Sequence, residues 1–202
     1  MDLIDKVVNK LKLSKKQQEE QDELEKCNNA LQYMYDRLSI GKRRNKSMQE
    51  YFDMHYRGNC YYYSTYILLC MKPTDRLVRG SIDTRGRGKA YYKHGWVEFE
   101  YEGEWWVYDD HYETPIPMGE WYEMVSPYEV HKKFTQTELL NYVRTNYPNK
   151  LTEENKGDIT YLSTGIIEIE EFAIPFWLID LEIKDGEIIK FEQDKHLKEA
   201  LY

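Results

Sequence analysis

Residues 90–109, AYYKHGWVEFEYEGEWWVYD, decide how the rest of the chain is read. Bulky β-forming residues fill two runs, and Glu102-Gly103 between them has the composition of a tight hairpin turn. A turn there pairs Tyr101 with Glu104 and carries the ladder back until His94 faces His111 and sits diagonally from Asp109. Side chains alternate along a strand with a period of two, so His94 and Asp109 project from the same face. A slip of two residues keeps them together. Only an odd slip separates them, and it would also turn Trp96 and Trp105 to opposite faces.

Upstream, Gly58-Asn59-Cys60 opens an apolar and aromatic run through Met71 that reads as a helix stopped by Pro73. A cysteine nucleophile needs surroundings that favour thiolate, and the first turn of a helix offers backbone N–H groups and the positive end of the dipole. Cys60 is placed to receive both. Gly58 lets the backbone turn sharply into the helix, and the Cys60 N–H is positioned to point at a developing oxyanion. The thiol further needs a base and a group that orients the base. The hairpin supplies them: Asp109 accepts from one imidazole nitrogen of His94 and leaves the other to take the Cys60 proton, as in a catalytic triad. Asp110 points to the other face and is assigned to the structural background. Cys27 and Cys70 read as small buried hydrophobes.

These residues resemble the transglutaminase-like superfamily, which includes transglutaminases, peptide N-glycanases and bacterial cysteine peptidases. The matching features are Gly58-Asn59-Cys60 before an aromatic helix, His94-Gly95-Trp96-Val97-Glu98 opening a strand, and Gly103-Glu104-Trp105 followed by Asp109. They lie within residues 51–121. The resemblance implies an α+β, papain-like core in which a central helix bearing Cys60 packs on an antiparallel β-sheet. It also implies Cys60 as nucleophile, His94 as general base and acid, and Asp109 as orienting carboxylate. A second oxyanion donor in this family comes from a side chain upstream of the cysteine, for which His55, Tyr56 and Asn59 are the candidates. Asp110 stands where the family often has proline. Tyr61, Tyr62 and Tyr63 follow the cysteine where small or acidic residues are common, and they are expected to narrow the cleft.

The first 38 residues, rich in Lys, Glu, Gln and Leu and without glycine or proline, predict one long helix or two short ones. Leu3, Ile4, Val7, Val8, Leu11 and Leu13 give its start an apolar stripe, whereas residues 14–26 have little to bury. Residues 1–45 are therefore read as a helical extension and residues 46–202 as the catalytic domain. A short helix is expected at 47–55 and a strand at 77–82, with a basic, glycine-rich loop at 85–89. Ser126-Pro127 is read as a helix start. Thr135 and Glu138 have capping-box spacing for a helix reaching Tyr147. Residues 149–158 read as a polar linker, residues 166–171 as a strand, and residues 178–191 as a hairpin about Asp185-Gly186.

Composition bounds the function. The 202 residues carry a formal net charge of -8, which disfavours sequence-independent binding to nucleic acid. Basic clusters at Lys42, Arg43, Arg44 and Lys46 and at Arg85, Arg87 and Lys89 read as solvated loops. The longest apolar run, residues 66–71, is far short of the ~20 residues that span a bilayer. With no signal-peptide pattern at the start, no membrane partner and a cytoplasmic location are expected. Three cysteines fit a reducing compartment, and a bridge between Cys60 and Cys70 is excluded by ~15 Å of intervening helix.

The expected activity is acyl transfer from an amide by a cysteine peptidase, amidase, deamidase or transglutaminase, with a protein or peptide as substrate. The alternative is a catalytically inactive binding protein of the same fold. The amino-terminal helix is read as an extension packed on its own domain, the alternative being an arm for a homo-oligomer or another partner. Zinc held by Cys60, His94, Asp109 and His111 is the competing reading of the same residues. No short Cys-x-x-Cys or His-x-x-x-His pair supports it, so neither metal nor cofactor is expected. Glu98 and Glu100 read as a solvent-exposed strand face, and Trp96, Trp105, Trp106 and Trp121 as core and cleft walls. His55, His131 and His196 are read as surface or helix-end residues.

Overall fold

The hairpin anchors the structure. In the computed structural model, which describes residues 3–38, 41–42, 60–83, 92–109, 111–112, 114–164, 167–169, 174–176 and 179–193, it is formed by β3 (Tyr92–Tyr101) and β4 (Glu104–Tyr108). Tyr101 pairs with Glu104, and the ladder runs back to Val97 opposite Tyr108, the register expected from the sequence. Glu102 and Gly103 both take positive φ, 52° and 80°, as a two-residue turn matched to the strand twist requires.

Three more strands complete this sheet: β2 (Arg76–Ile82), β5 (Ile116–Pro117) and β6 (Tyr128–Thr135), in the order β5-β4-β3-β2-β6 with every pairing antiparallel. Along β3, odd and even residues serve two cores. Val97 and Phe99 join one with Ile67, Leu68 and Leu69 of α2 (Cys60–Cys70). Trp96 joins the other with Val107 and with Trp121 of α3 (Met118–Met124). The chain is thus α+β, with a cysteine-bearing helix against an antiparallel sheet.

A second five-stranded sheet contains β1 (Gly41–Lys42), β7 (Leu151–Lys156), β8 (Ile159–Thr164), β11 (Ile179–Lys184) and β12 (Glu187–Gln193), in the order β1-β12-β11-β8-β7. Its Leu162, Leu181 and Phe191 are buried in the same core as α2. The hairpin about Asp185-Gly186 forms as expected, and a small pair, β9 (Ile167–Ile169) with β10 (Ile174–Phe176), occupies part of the strand read at 166–171.

The amino-terminal segment is one helix, α1 (Leu3–Leu38). Residues 14–26 are exposed, while Ala30, Met34 and Leu38 enter the core shared with α2. Capping of α2 comes from two neighbours. Arg37 donates to the carbonyls of Cys70 (2.7 Å) and Met71 (2.9 Å). The buried amide of Gln136, at the start of α4 (Gln136–Asn146), lies 3.0 to 3.2 Å from the carbonyls of Leu68, Leu69 and Met71. The last carbonyls of a helix have no partner within it, and here long-range side chains supply them.

Thr135 and Glu138 form the expected capping box on α4. Ser126-Pro127, in contrast, does not start a helix. Residues 128–135 instead form β6, whose Phe134 enters the core shared with α2 while Val130 packs on the second core and Lys133 reaches Glu98, and pairing with β2 outweighs the local capping signal. Residues 149–158 are not a linker either. They hold a short 3-10 turn and β7, which pairs with β8 around Gly157 (φ 66°). Almost every side chain of β7 is exposed, so it carries no apolar alternation to read.

Glu98 does not lie on the exposed strand face expected for it. It is buried, not on a solvent-facing surface, and receives Lys133 Nζ at 2.7 and 3.0 Å and the Tyr122 hydroxyl at 2.5 Å, with Arg76 at 3.6 Å. Glu100 is exposed as read. Cys70 is buried, but Cys27 is only partly so. Among the described residues no helix is long and apolar enough to cross a membrane. The helix read at 47–55, the loop at 85–89, the side chains of the early apolar stripe, and Gly58, Asp110 and His196 lie outside the described residues.

Candidate active site

Asp109 follows the last residue of β4, where its backbone leaves the hairpin ladder while its carboxylate stays beneath the sheet's second core. His94 sits two residues before Trp96 on the neighbouring strand, on the same face. Its Nε2 lies 2.8 Å from Asp109 Oδ1, and both side chains are closed to solvent. This is the diagonal relation that the hairpin parity demands.

The carboxylate has further partners. The backbone N–H of His111 donates to Oδ1 at 3.0 Å, and His111 Nδ1 lies 3.0 Å from the same oxygen. Trp121 Nε1 donates to Oδ2 at 3.2 Å. A buried carboxylate is tolerable only when its lone pairs are met, and four donor groups converge here. Such a network holds the carboxylate plane, and hence the His94 ring, in one orientation. His94 also packs edge-on to His111, with ring centroids 4.6 Å apart, and stacks with Trp96 at 6.1 Å.

Cys60 is the first residue of α2 and is partly exposed. One turn later, the Ser64 hydroxyl lies 2.8 Å from the Cys60 carbonyl oxygen and 2.8 Å from that of Gly95. Its single proton is shared between them, so the two carbonyls lie within two such bond lengths of each other. Gly95 adjoins His94 and lies beyond the last β3–β4 pair, Val97 with Tyr108. The first turn of α2 therefore meets β3 at a flank that β4 has left uncovered. Gly95 helps by presenting no side chain to the approaching helix.

Two tyrosines near the site have phenols that ionise less readily than usual. Tyr112 is pushed up by burial and then by the negative charge of Asp109. Tyr122 is pushed up by burial, then by its hydrogen bond to Glu98 and that group's charge. Both stay neutral hydrogen-bonding groups at physiological pH.

The structure thus joins His94 directly to Asp109 and brings the backbone of Cys60 beside the strand that carries His94. His55, Tyr56 and Asn59, the candidate oxyanion side chains, lie outside the described residues. Sequence reasoning missed Trp121 and Ser64. Trp121 comes from a short helix with no capping signal, twelve residues beyond the carboxylate it holds. Ser64 lies within a run of tyrosines and aliphatics that reads as core. His131 sits on β6 with its Nε2 3.1 Å from Ser81 Oγ, away from this cluster.

No protein-family model, no curated protein and no solved structure matches the chain.

Proposed function

We propose that the protein is a thiol-dependent acyl-transfer enzyme acting on amide bonds, on a transglutaminase-like variant of the papain-type core. The observation that carries this reading is the buried His94–Asp109 pair, with Nε2 of the imidazole committed to a carboxylate that is itself held from four sides.

With Nε2–H donated to Asp109, Nδ1 is the nitrogen that takes the proton from Cys60. The thiolate attacks the carbonyl carbon of the substrate amide, and negative charge develops on its oxygen. The backbone N–H of Cys60, at the positive end of α2, is the donor offered to that oxygen. His94 then returns the proton to the departing amine, leaving an acyl group on Cys60. Water attacking this thioester gives a peptidase, amidase or deamidase. An amine gives a transglutaminase. In either case His94 accepts the proton of the attacking group, and Cys60 leaves as thiolate. A protein or peptide amide is the proposed substrate, and the chemistry needs no cofactor.

The test is site-resolved alkylation by iodoacetamide, read by peptide mass spectrometry across a pH series. Cys60 is expected to react faster than a reference thiol near neutral pH, and His94→Ala to bring it down to the reference rate. Cys27 is an internal control, because burial first, and then the charges of Glu120 and Glu23, push its thiol pKa up. A Cys60 that reacts no faster than the reference, and no differently in His94→Ala, would refute activation and leave an inert binding module of the same fold.

A further inference from the structure

We propose that His94, Asp109 and His111 also form a binding site for a zinc ion, and that zinc occupancy and the thiol chemistry exclude each other. His94, Asp109 and His111 each offer a ligand atom within 4.8 Å of the other two, and Asp109 Oδ1 lies 2.8 Å from His94 Nε2 and 3.0 Å from His111 Nδ1. Ligands about 2.0–2.2 Å from a tetrahedral zinc ion sit roughly 3.3 Å apart. Two edges of the required triangle are therefore within about 0.5 Å of their bound length, and both open as the ion takes the place of the two hydrogen bonds.

His111 has room to adjust. Its side chain is 49% exposed, against 4% for His94 and none for Asp109. It follows β4 in a turn and gives the cluster its opening to solvent, where a water can serve as fourth ligand. The second carboxylate oxygen is already engaged by Trp121, which presents Oδ1 to the cluster. Two imidazoles and one carboxylate oxygen suit zinc. Calcium and magnesium, which prefer six or more oxygen ligands, are poorly served.

The exclusion follows from the proton on His94. A metal at Nε2 needs the lone pair of that nitrogen, so the ring's remaining proton must reside on Nδ1. Nδ1 then cannot accept the Cys60 proton, and Asp109, turned to the ion, no longer orients a base. The cation site stands on the geometry of three side chains alone. Its effect on catalysis rests on the acyl-transfer reading.

The experiment titrates zinc chloride into the full chain, previously stripped with a chelator, by calorimetry, and follows Cys60 alkylation in parallel. The wild type is expected to bind one zinc ion per chain, with alkylation slowed at saturation and restored by chelator. His111→Ala, a change at a half-exposed position, should weaken zinc binding at least about tenfold, since even outer-shell losses cost that much. Absence of stoichiometric binding overturns the site, as does unchanged affinity in His111→Ala. If zinc slows alkylation equally in His111→Ala, the ion acts on the thiol and the site is again overturned. Zinc binding that depends on His111 with an ordinary Cys60 keeps the site and removes the acyl-transfer reading. An activated Cys60 in a chain that ignores zinc does the reverse.

Discussion

Trp121 Nε1 donates to Oδ2 of Asp109 at 3.2 Å, and both side chains are fully buried. An aromatic residue of the second core thus also fixes the far oxygen of the carboxylate that holds His94. Trp121→Phe keeps a ring but deletes the donor and part of the volume. A loss of about 2–4 kcal/mol of unfolding free energy is expected, from an under-satisfied buried carboxylate plus a cavity. Urea denaturation would measure it. Cys60 alkylation should slow by less than in His94→Ala, because the His94–Asp109 contact remains.

Gly80 pairs directly with His94 across β2 and β3. A Cβ placed there would lie 2.4 Å from the Glu129 carbonyl oxygen and 2.6 Å from Trp96 Cη2. The first is backbone and the second belongs to a fully buried indole, so neither yields cheaply. Gly80→Ala is expected to destabilise by about 1–3 kcal/mol, the usual range for overpacking. Its near-ultraviolet circular dichroism should change as Trp96 shifts. An unchanged melting curve would contradict this packing.

Glu98 and Lys133 separate the cost of a buried charge from the worth of its pair. Lys133→Met leaves Glu98 with Tyr122 and the more distant Arg76. Breaking a fully buried pair costs about 3–5 kcal/mol, and the part exposure of Lys133 lowers the expectation to about 2–3 kcal/mol. Glu98→Gln removes the charge itself and should cost less. The order of the two midpoints in urea is the measurement, and a reversed order would count against the pairing.

Asp75 gives a pH dependence with a definite sign. Burial raises its carboxyl above the ordinary 3.8, an effect partly offset by backbone hydrogen bonds from Lys72 and Glu100 and by the charges of Lys72 and Arg37. The folded chain therefore holds this proton more tightly than the unfolded one. The resulting stabilisation is complete below 3.8 and is lost as pH rises through the higher folded value. Asp75→Asn does not titrate, so the stability of the wild type relative to this variant should fall between about pH 3 and about pH 6. Paired denaturant titrations at the two pH values check it, and a relative rise would reverse the assigned sign.

The hairpin was legible because turn chemistry and side-chain parity are local rules. Once Glu102-Gly103 sets the turn, the face shared by His94 and Asp109 follows from counting. The same locality explains Thr135 and Glu138, whose hydrogen bonds close within four residues. Glu98 escaped because its burial depends on Lys133 and Tyr122, which arrive from elements far along the chain. β7 escaped because an exposed edge strand has no apolar face to betray it. Ser126-Pro127 misled because a capping signal of modest energy was set against a full ladder with β2. Within the site, His94 and Asp109 could be placed from sequence. The Trp121 donor and the Ser64 bridge arise only when separate elements meet.

The carboxyl end of α2 is gripped by Arg37 from one side and Gln136 from the other. An 11-residue helix is a stiff rod, so the attitude of its first residue is set by where its last residues are clamped. The amino-terminal helix is thereby part of the mounting that sets the orientation of α2 and of Cys60 at its start. A pull, a fusion or a bound partner that shifts α1 near Arg37 would swing the thiol from a pivot about 15 Å away, at about 1.5 Å per residue, without touching any atom of the site.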